Sequence, residues 1–295
     1  MSAVCVQSNL RKPSRILAWL AMAFCALVVL MGVFSDHLSP YTYNIPSGKS
    51  LEAPSWQHWL GTDDLGMDLW ALMCHGARTS LLVGVSTALL AGLGGGLLGS
   101  FSAYLGGWPD RILMRLTDLV IAMPRTPTLV VLATFWGPSL RNIILVLAFF
   151  SWCGPARVLR SRVLALQEEK FIVAARSFGA RFFHLARRHF LPNLFPLFMI
   201  GVTSQISRAI MAEAGLAFLG LGDPLSKSWG LILNSAMSFR GIHYTPFWKW
   251  WVTVPLFATA FLVAACAILC RELETRLDTK GWNRGKKAPG GNHAH

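Results

Sequence analysis

The 295-residue chain is 54% hydrophobic and only 14% charged, with a mean hydropathy of +0.47, an apolar share beyond what an ordinary soluble domain needs. Its formal net charge of +13 would suit nucleic acid, but the basic residues gather in loops beside apolar runs, where anionic lipid and the positive-inside bias account for them. Composition thus points to an integral membrane protein without a nucleic-acid partner. The six cysteines (Cys5, Cys25, Cys74, Cys153, Cys266, Cys270) contain no C-x-x-C pair, which argues against a disulfide framework or a cysteine metal site.

Arg11, Lys12 and Arg15 precede the apolar run Ile16 to Phe34, whose 19 residues make a helix of about 30 Å, enough to cross a bilayer. A signal peptide starts the same way, but this run is longer than a usual signal core and no small-x-small cleavage pattern follows it. Residues 1–15 therefore read as a cytoplasmic N-terminus, 16–34 as the first span and 35–79 as a polar periplasmic loop. That loop carries five acids (Asp36, Glu52, Asp63, Asp64, Asp68) against Lys49 and Arg78. Its Ser47-Gly48-Lys49-Ser50 is not a phosphate loop, because Tyr43 stands where the first glycine belongs.

The second span is expected from Leu81 to Ala103, with Gly92 and Gly96, and Gly95 and Gly99, spaced for close helix contact in lipid. After a turn at Gly106 to Pro109, a third span from Ile112 to Trp136 is interrupted at Pro124-Arg125-Thr126-Pro127. Freed carbonyls at such a break are tolerated against protein or a watery cavity, which places Pro124 and Arg125 on a pathway; a purely structural kink is the alternative. The fourth span runs from Leu140 through Cys153 toward Leu164. From Arg157 to Pro192 eight basic residues face only Glu168 and Glu169, so the loop that follows is cytoplasmic, as is the N-terminus four spans earlier.

Within that loop, Phe171, Ala175, Phe178, Phe182 and Leu185 recur at helical steps while Arg176, Arg181, Arg187 and Arg188 take other faces. Gly179 divides the segment into two short helices, and Pro192 closes it. The fifth span, Leu194 to Phe218, aligns Gly201, Ser204, Gln205, Arg208 and Ala212 on one face. An arginine near the bilayer centre costs roughly 2.5–3.5 kcal/mol on insertion scales and wants a cavity or a carboxylate. Two readings stand: Arg208 meets an anionic or carbonyl-rich part of a cargo, or it forms a structural ion pair, with Glu213 or an acid on another span as partner.

An outer loop with a dipping segment near Trp229 to Met237 leads to the sixth span, Phe247 to Cys270, entered through Trp248, Trp250 and Trp251 as an aromatic belt. The tail carries six basic residues (Arg271, Arg276, Lys280, Arg284, Lys286, Lys287) against three acids and is placed inside; His293 and His295 read as a terminal end rather than a metal site. The histidines are scattered over loops on both sides, which argues against an enzyme. No nucleotide site is evident, and Glu213 is the single acid well inside an apolar span, so a secondary transporter or channel is the weaker reading and uphill transport must draw on another polypeptide.

Five stretches carry a resemblance: His58-Trp59-Leu60-Gly61-Thr62-Asp63-Asp64-Leu65-Gly66, Tyr104-Leu105-Gly106-Gly107, Gly137-Pro138-Ser139-Leu140, Ala174-Ala175 with Gly179 and His189-Phe190-Leu191-Pro192, and Gly215 to Gly222. In this order they resemble permease subunits of bacterial ATP-binding-cassette importers, in the dipeptide, oligopeptide and nickel branch. The resemblance implies an all-α, polytopic membrane protein of the type I importer permease class: six transmembrane helices, a permease core over 80–280, a coupling ("EAA") loop at 165–193 and a cytoplasmic tail at 281–295. It implies ATPase docking through Glu168, Glu169, Phe171, Ala174, Ala175, Phe178, Gly179, Phe182, His189 and Pro192, and a substrate pathway past Pro124, Arg125, Gln205, Arg208 and Glu213. The partners implied are a second homologous permease subunit, ABC ATPase subunits that carry the ATP and Mg, an extracytoplasmic substrate-binding protein and the inner-membrane bilayer; no cofactor is implied in this chain. Peptides are the expected cargo and nickel or a metal chelate the alternative. Two residues depart from the family pattern: Val173 replaces the loop's leading Glu, and Met67 replaces an Arg, which would leave Asp63, Asp64 or Asp68 without its partner.

Overall fold

The computed structural model describes residues 15–179 and 182–286, with the side chains of Arg176, Phe182, Phe183, Ala186 and those beyond Leu277 outside that description. The expectations for residues 1–14, for Arg181 and for the terminal histidines therefore fall outside it. The described chain is helical: α1 Arg15–Val33, α2 Ser35–Leu38, α3 Leu69–Leu105, α4 Gly107–Ala122, α5 Arg125–Trp136, α6 Leu140–Ser151, α7 Cys153–Gln167, α8 Lys170–Ser177, α9 Phe182–Leu185, α10 Leu191–Phe218, α11 Trp229–Ser238, α12 Trp248–Trp251 and α13 Thr253–Lys286. Five helical rods are long and apolar enough to cross a membrane, and α4 with α5, bent by 92°, makes a sixth broken span. This is the all-α, polytopic architecture the sequence implies.

The bend has a local cause. Met123 is extended (ψ 135°), as the residue before a proline prefers, and Pro124 starts α5 with its carbonyl accepting the Thr128 N–H at 3.2 Å and the Thr128 hydroxyl at 2.8 Å.

The central rod is α3, and here the expected boundary is corrected. The helix starts at Leu69 rather than near residue 80, because Asp68 caps it by accepting the Ala71 N–H at 2.8 Å. The polar Trp70, His75 and Arg78 ride on its first turns. At 37 residues the rod is about 55 Å long and overshoots the hydrocarbon layer. Its glycines face two neighbours, as the four-residue spacing suggested. A Cβ on Gly95 or Gly99 would collide with the carbonyls of Trp152 and Ala156 in α6–α7, while one on Gly92 would sit 2.6 Å from Val202 of α10.

The 39–68 loop folds on itself. Ser47 and Gly48 donate to the Gly66 carbonyl, Leu51 to that of Asp63, and Asp63 to that of Met67. Of the three aspartates that Met67 was expected to leave without a partner, two are held by other groups. Asp68 is held 2.9 Å from His58 Nδ1, Asp63 accepts the Leu65 and Met67 N–H groups at 2.9 and 2.8 Å, and Asp64 is exposed. Burial pushes the Asp63 carboxyl above its ordinary range, opposed by those two backbone donors.

Two further expectations are corrected. Trp251 is fully buried in the core with Trp229, Leu69 and Leu262, so Trp248, half-exposed, is left at the surface end of the sixth span. Pro192 does not end the polar segment; it occupies the first turn of α10, where its missing N–H is harmless, and the chain runs on from the π-helical turn Ala186–Phe190. The dipping segment is α11, whose Trp229 Nε1 donates to the Met73 carbonyl at 2.9 Å.

Candidate functional site

Two places combine exposed or buried polarity with unusual backbone, and α7 connects them. The first is the elbow from Glu168 to Phe190. Gln167 donates to the Ala103 carbonyl at 3.2 Å and so ties the end of α7 to the end of α3. Glu168 and Glu169 are exposed, and the Glu169 carbonyl accepts from Ile172 and Val173 to start α8. The helix stops at Gly179, whose φ of +79° is the left-handed conformation glycine supplies without strain.

That reversal splits the apolar stripe read from the sequence. Ile172 and Leu185, with Ala175 packed beside them, bury against Ala103, Val163, Leu166 and Phe190 at the end of the bundle. Phe171 and Phe178 point away, 47% and 92% exposed, in company with Val173. Ala174 and Pro192 are exposed and His189 is half-buried, its ring 5.5 Å from that of Phe171. The side chain of Phe182 lies outside the described set. Periodicity identified Leu185 but missed Ile172, because Phe171 beside it occupies the register that a single continuous helix would bury.

The second place is the junction of α6 and α7. Pro155 has no N–H, so the Ser151 carbonyl four residues earlier lacks its backbone donor. Gln205 of α10 supplies one instead, its Nε2 donating to that carbonyl at 2.6 Å. The Ser151 hydroxyl accepts from Arg125 Nη2 at 3.0 Å, so three spans meet on this one serine. Ser151 went unnoticed in the sequence, although Cys153-Gly154-Pro155 after an apolar run was the signal for it.

Arg208 does not pair with Glu213. Its Nε donates to the Ser204 carbonyl at 3.2 Å and its Nη2 to the Ser204 hydroxyl at 2.8 Å, one turn back on α10. Gly201, Ser204, Gln205 and Arg208 do share a face, as expected, and it lines a cavity of about 360 Å³ with Gly154 and Glu274. Glu213 turns elsewhere. It is 2% exposed, within 3.5 Å of Ser80 Oγ on α3 and hydrogen-bonded to Ser228, the N-cap of α11.

Between the two places lie ion pairs that nothing local in the sequence announces. Arg160 of α7 grips Asp110 of α4 through Nε and Nη2, each at 2.6 Å, and Arg157 pairs with Asp118. Two residues that read as loop charges are thus internal brackets that fix α7 against α4. α7 thus runs without a break from the stem of the elbow to the Ser151 junction, where Arg125 and Gln205 are attached.

Comparison with known proteins follows the same outline. The family model described as "Binding-protein-dependent transport system inner membrane component" matches residues 95–280. A putative peptide permease protein of Brucella suis is 43% identical over 199 residues, 67% of this chain and 66% of that protein. The dipeptide transport system permease protein DppC of Bacillus subtilis is 33% identical over 275 residues, 90% of this chain and 82% of its own length. The glutathione transport system permease protein GsiD of Pectobacterium atrosepticum is 33% identical over 218 residues, covering 73% and 72%. The alignment thus spans just under two thirds of the Brucella protein and most of the Bacillus one.

Proposed function

The chain belongs to the family of binding-protein-dependent transport system inner membrane components, and on that premise we propose that it is the transmembrane permease subunit of an ATP-driven peptide importer. It forms half of a conduit with a second, homologous permease and hydrolyses nothing itself. ATP and Mg belong to separate ATPase subunits that receive the elbow, and a substrate-binding protein delivers cargo at the opposite end, to the loops around Gly61–Asp68 and Gly215–Pro224. The elbow, the N-terminus and the tail face the cytoplasm. Peptide is preferred as cargo because the relatives described above are peptide, dipeptide and glutathione permeases.

The observation that carries this reading is the division of labour within the elbow. Ile172 and Leu185 are fully buried and anchor the elbow, while Phe178 stands 92% exposed at its tip. A phenyl ring held in water on a fixed mount suits insertion into a partner's pocket, where full burial gains about 1.5–3 kcal/mol. Closure of ATPase subunits around the elbow then tilts α7, and the pull reaches the Ser151 junction.

The test is reconstitution of the complete transporter in proteoliposomes with Phe178→Asp. ATP-driven uptake of a labelled peptide should fall at least tenfold, with normal abundance of the permease in the membrane and reduced co-purification of the ATPase. Full uptake with the ATPase retained would remove the elbow from the docking surface.

A further inference from the structure

The two arginines at the α6–α7 junction have charges that the mechanics above leave unused. Arg125 donates through Nη2 to the Ser151 hydroxyl, while its Nε is buried with no hydrogen-bond partner among the described residues. Arg208 directs its donors to Ser204 of its own helix. Among the described residues neither guanidinium forms an ion pair, and the two are linked through Ser151 and Gln205, which precedes Arg208 on α10 by three residues. Guanidiniums without an ion pair among apolar spans are costly to insert and hold, and an anion is the partner that would offset that cost.

The space for that anion is the cavity of about 360 Å³ that Arg208 lines with Ser204, Gln205, Gly154 and Gly201. Arg125 stands behind its wall, joined through Ser151 to the lining residue Gln205. Glu274 is the acid in that lining; it makes no ion pair with Arg208, and its Oε1 lies 3.8 Å from the Cys270 thiol instead. Glycines at 154 and 201 leave backbone-lined room beside the guanidinium, and Ser204 can exchange its bond to Arg208 for one to a passing oxygen.

We propose that Arg208, backed by the charge of Arg125, is a carboxylate-binding station in the conduit that receives the C-terminal carboxylate of a peptide in transit. This rests on the permease reading and deepens it: selectivity is exercised in the membrane as well as by the delivery protein. A planar guanidinium matches a carboxylate through two parallel N–H bonds, a geometry lysine's ammonium lacks. The station must be weak enough to release its ligand, and Ser204, which takes the guanidinium back, supplies that competition.

The experiment uses the complete transporter in proteoliposomes with labelled trialanine as the free acid and as its C-terminal amide. Each variant is expressed as a ratio to wild type for the same cargo, which cancels any preference of the binding protein. Arg208→Gln should slow the free acid at least tenfold and the amide less than twofold, and Arg125→Gln should show the same preference more weakly. Equal losses for both cargoes would overturn the proposal and assign Arg208 to an ion pair with the second permease; unchanged uptake of both would overturn it as well. Should Arg208→Gln not assemble, Arg208→Lys decides: slowing of the acid several-fold beyond the amide supports the station, and equal effects reject it. Wild-type transporter that moves neither cargo with ATP would instead sink the importer reading, and this inference with it.

Discussion

Gln205 gives its side-chain N–H to the Ser151 carbonyl at 2.6 Å, the acceptor that Pro155 four residues on leaves without a backbone donor. A proline on one helix and a glutamine on another thus form one unit. Gln205→Leu should reveal the dependence: an unsatisfied buried carbonyl costs about 1–3 kcal/mol, lowering the thermal midpoint of the detergent-solubilised protein. Adding Pro155→Ala restores an N–H in register, so the double variant should recover most of the loss. Additive destabilisation would show that the two residues are not coupled.

The glycines of α3 can be ranked by what surrounds them. Gly99→Leu drives a side chain into the Ala156 carbonyl, whereas an added Cβ at Gly94 meets nothing within 4 Å. Gly99→Leu should cost on the order of 3 kcal/mol or more and deplete the protein from the membrane. Gly94→Ala should be neutral to slightly stabilising, since it removes about 1 kcal/mol of helix penalty. Comparable abundance of the two variants would contradict the packing of α3 against α7.

Among the described residues Gly179 is constrained by its backbone alone: its φ is +79°, and a Cβ added there would meet none of their atoms within 4 Å. Asn, which tolerates the left-handed region, should preserve most ATP-driven uptake at this position. Val, whose branched Cβ does not, should strain the turn by about 1–2 kcal/mol or more and uncouple transport while the protein still inserts. The measurement is uptake per permease molecule; equal activity of the two variants would show that the turn's geometry is irrelevant.

Cys25 and Cys266 place their sulfurs 3.9 Å apart across α1 and α13. Mild copper-phenanthroline oxidation should therefore join the first and last spans, read as a shift in electrophoretic mobility that reductant reverses and Cys25→Ser abolishes. Disulfide closure needs only about 2 Å of approach from that separation. Absence of the cross-link would place α1 elsewhere on the bundle.

The sequence displayed what the bilayer demands and hid what distant residues decide. Apolar runs long enough to cross, and the two prolines at 124 and 127, announced six spans and which one is broken, because length and missing N–H groups are local properties. The start of α3 was hidden because Trp70, His75 and Arg78 read as loop, and its position depends on Asp68, steadied by His58 ten residues away. The elbow's two faces were blurred because one helical plot was laid over both short helices, although Gly179, where φ is +79°, was already legible as the joint between them. Arg157 and Arg160 looked like loop charges until Asp118 and Asp110, some forty and fifty positions earlier, appeared beside them. For the candidate site, Arg125, Gln205 and Arg208 were visible as residues, but Ser151, which joins the first two, was not.

The length of α3 bears on timing across the whole assembly. A stiff mast of about 55 Å that pivots at its middle converts a tilt of roughly 10° into opposite sweeps of about 5 Å at its two ends. Gln167 lashes the foot of this mast to the elbow's stem and Trp229 pins the short helix α11 near its head, so one stiff element joins the two ends of the bundle. In the importer proposed above, that rigid link is the means by which cargo admission and nucleotide turnover keep step.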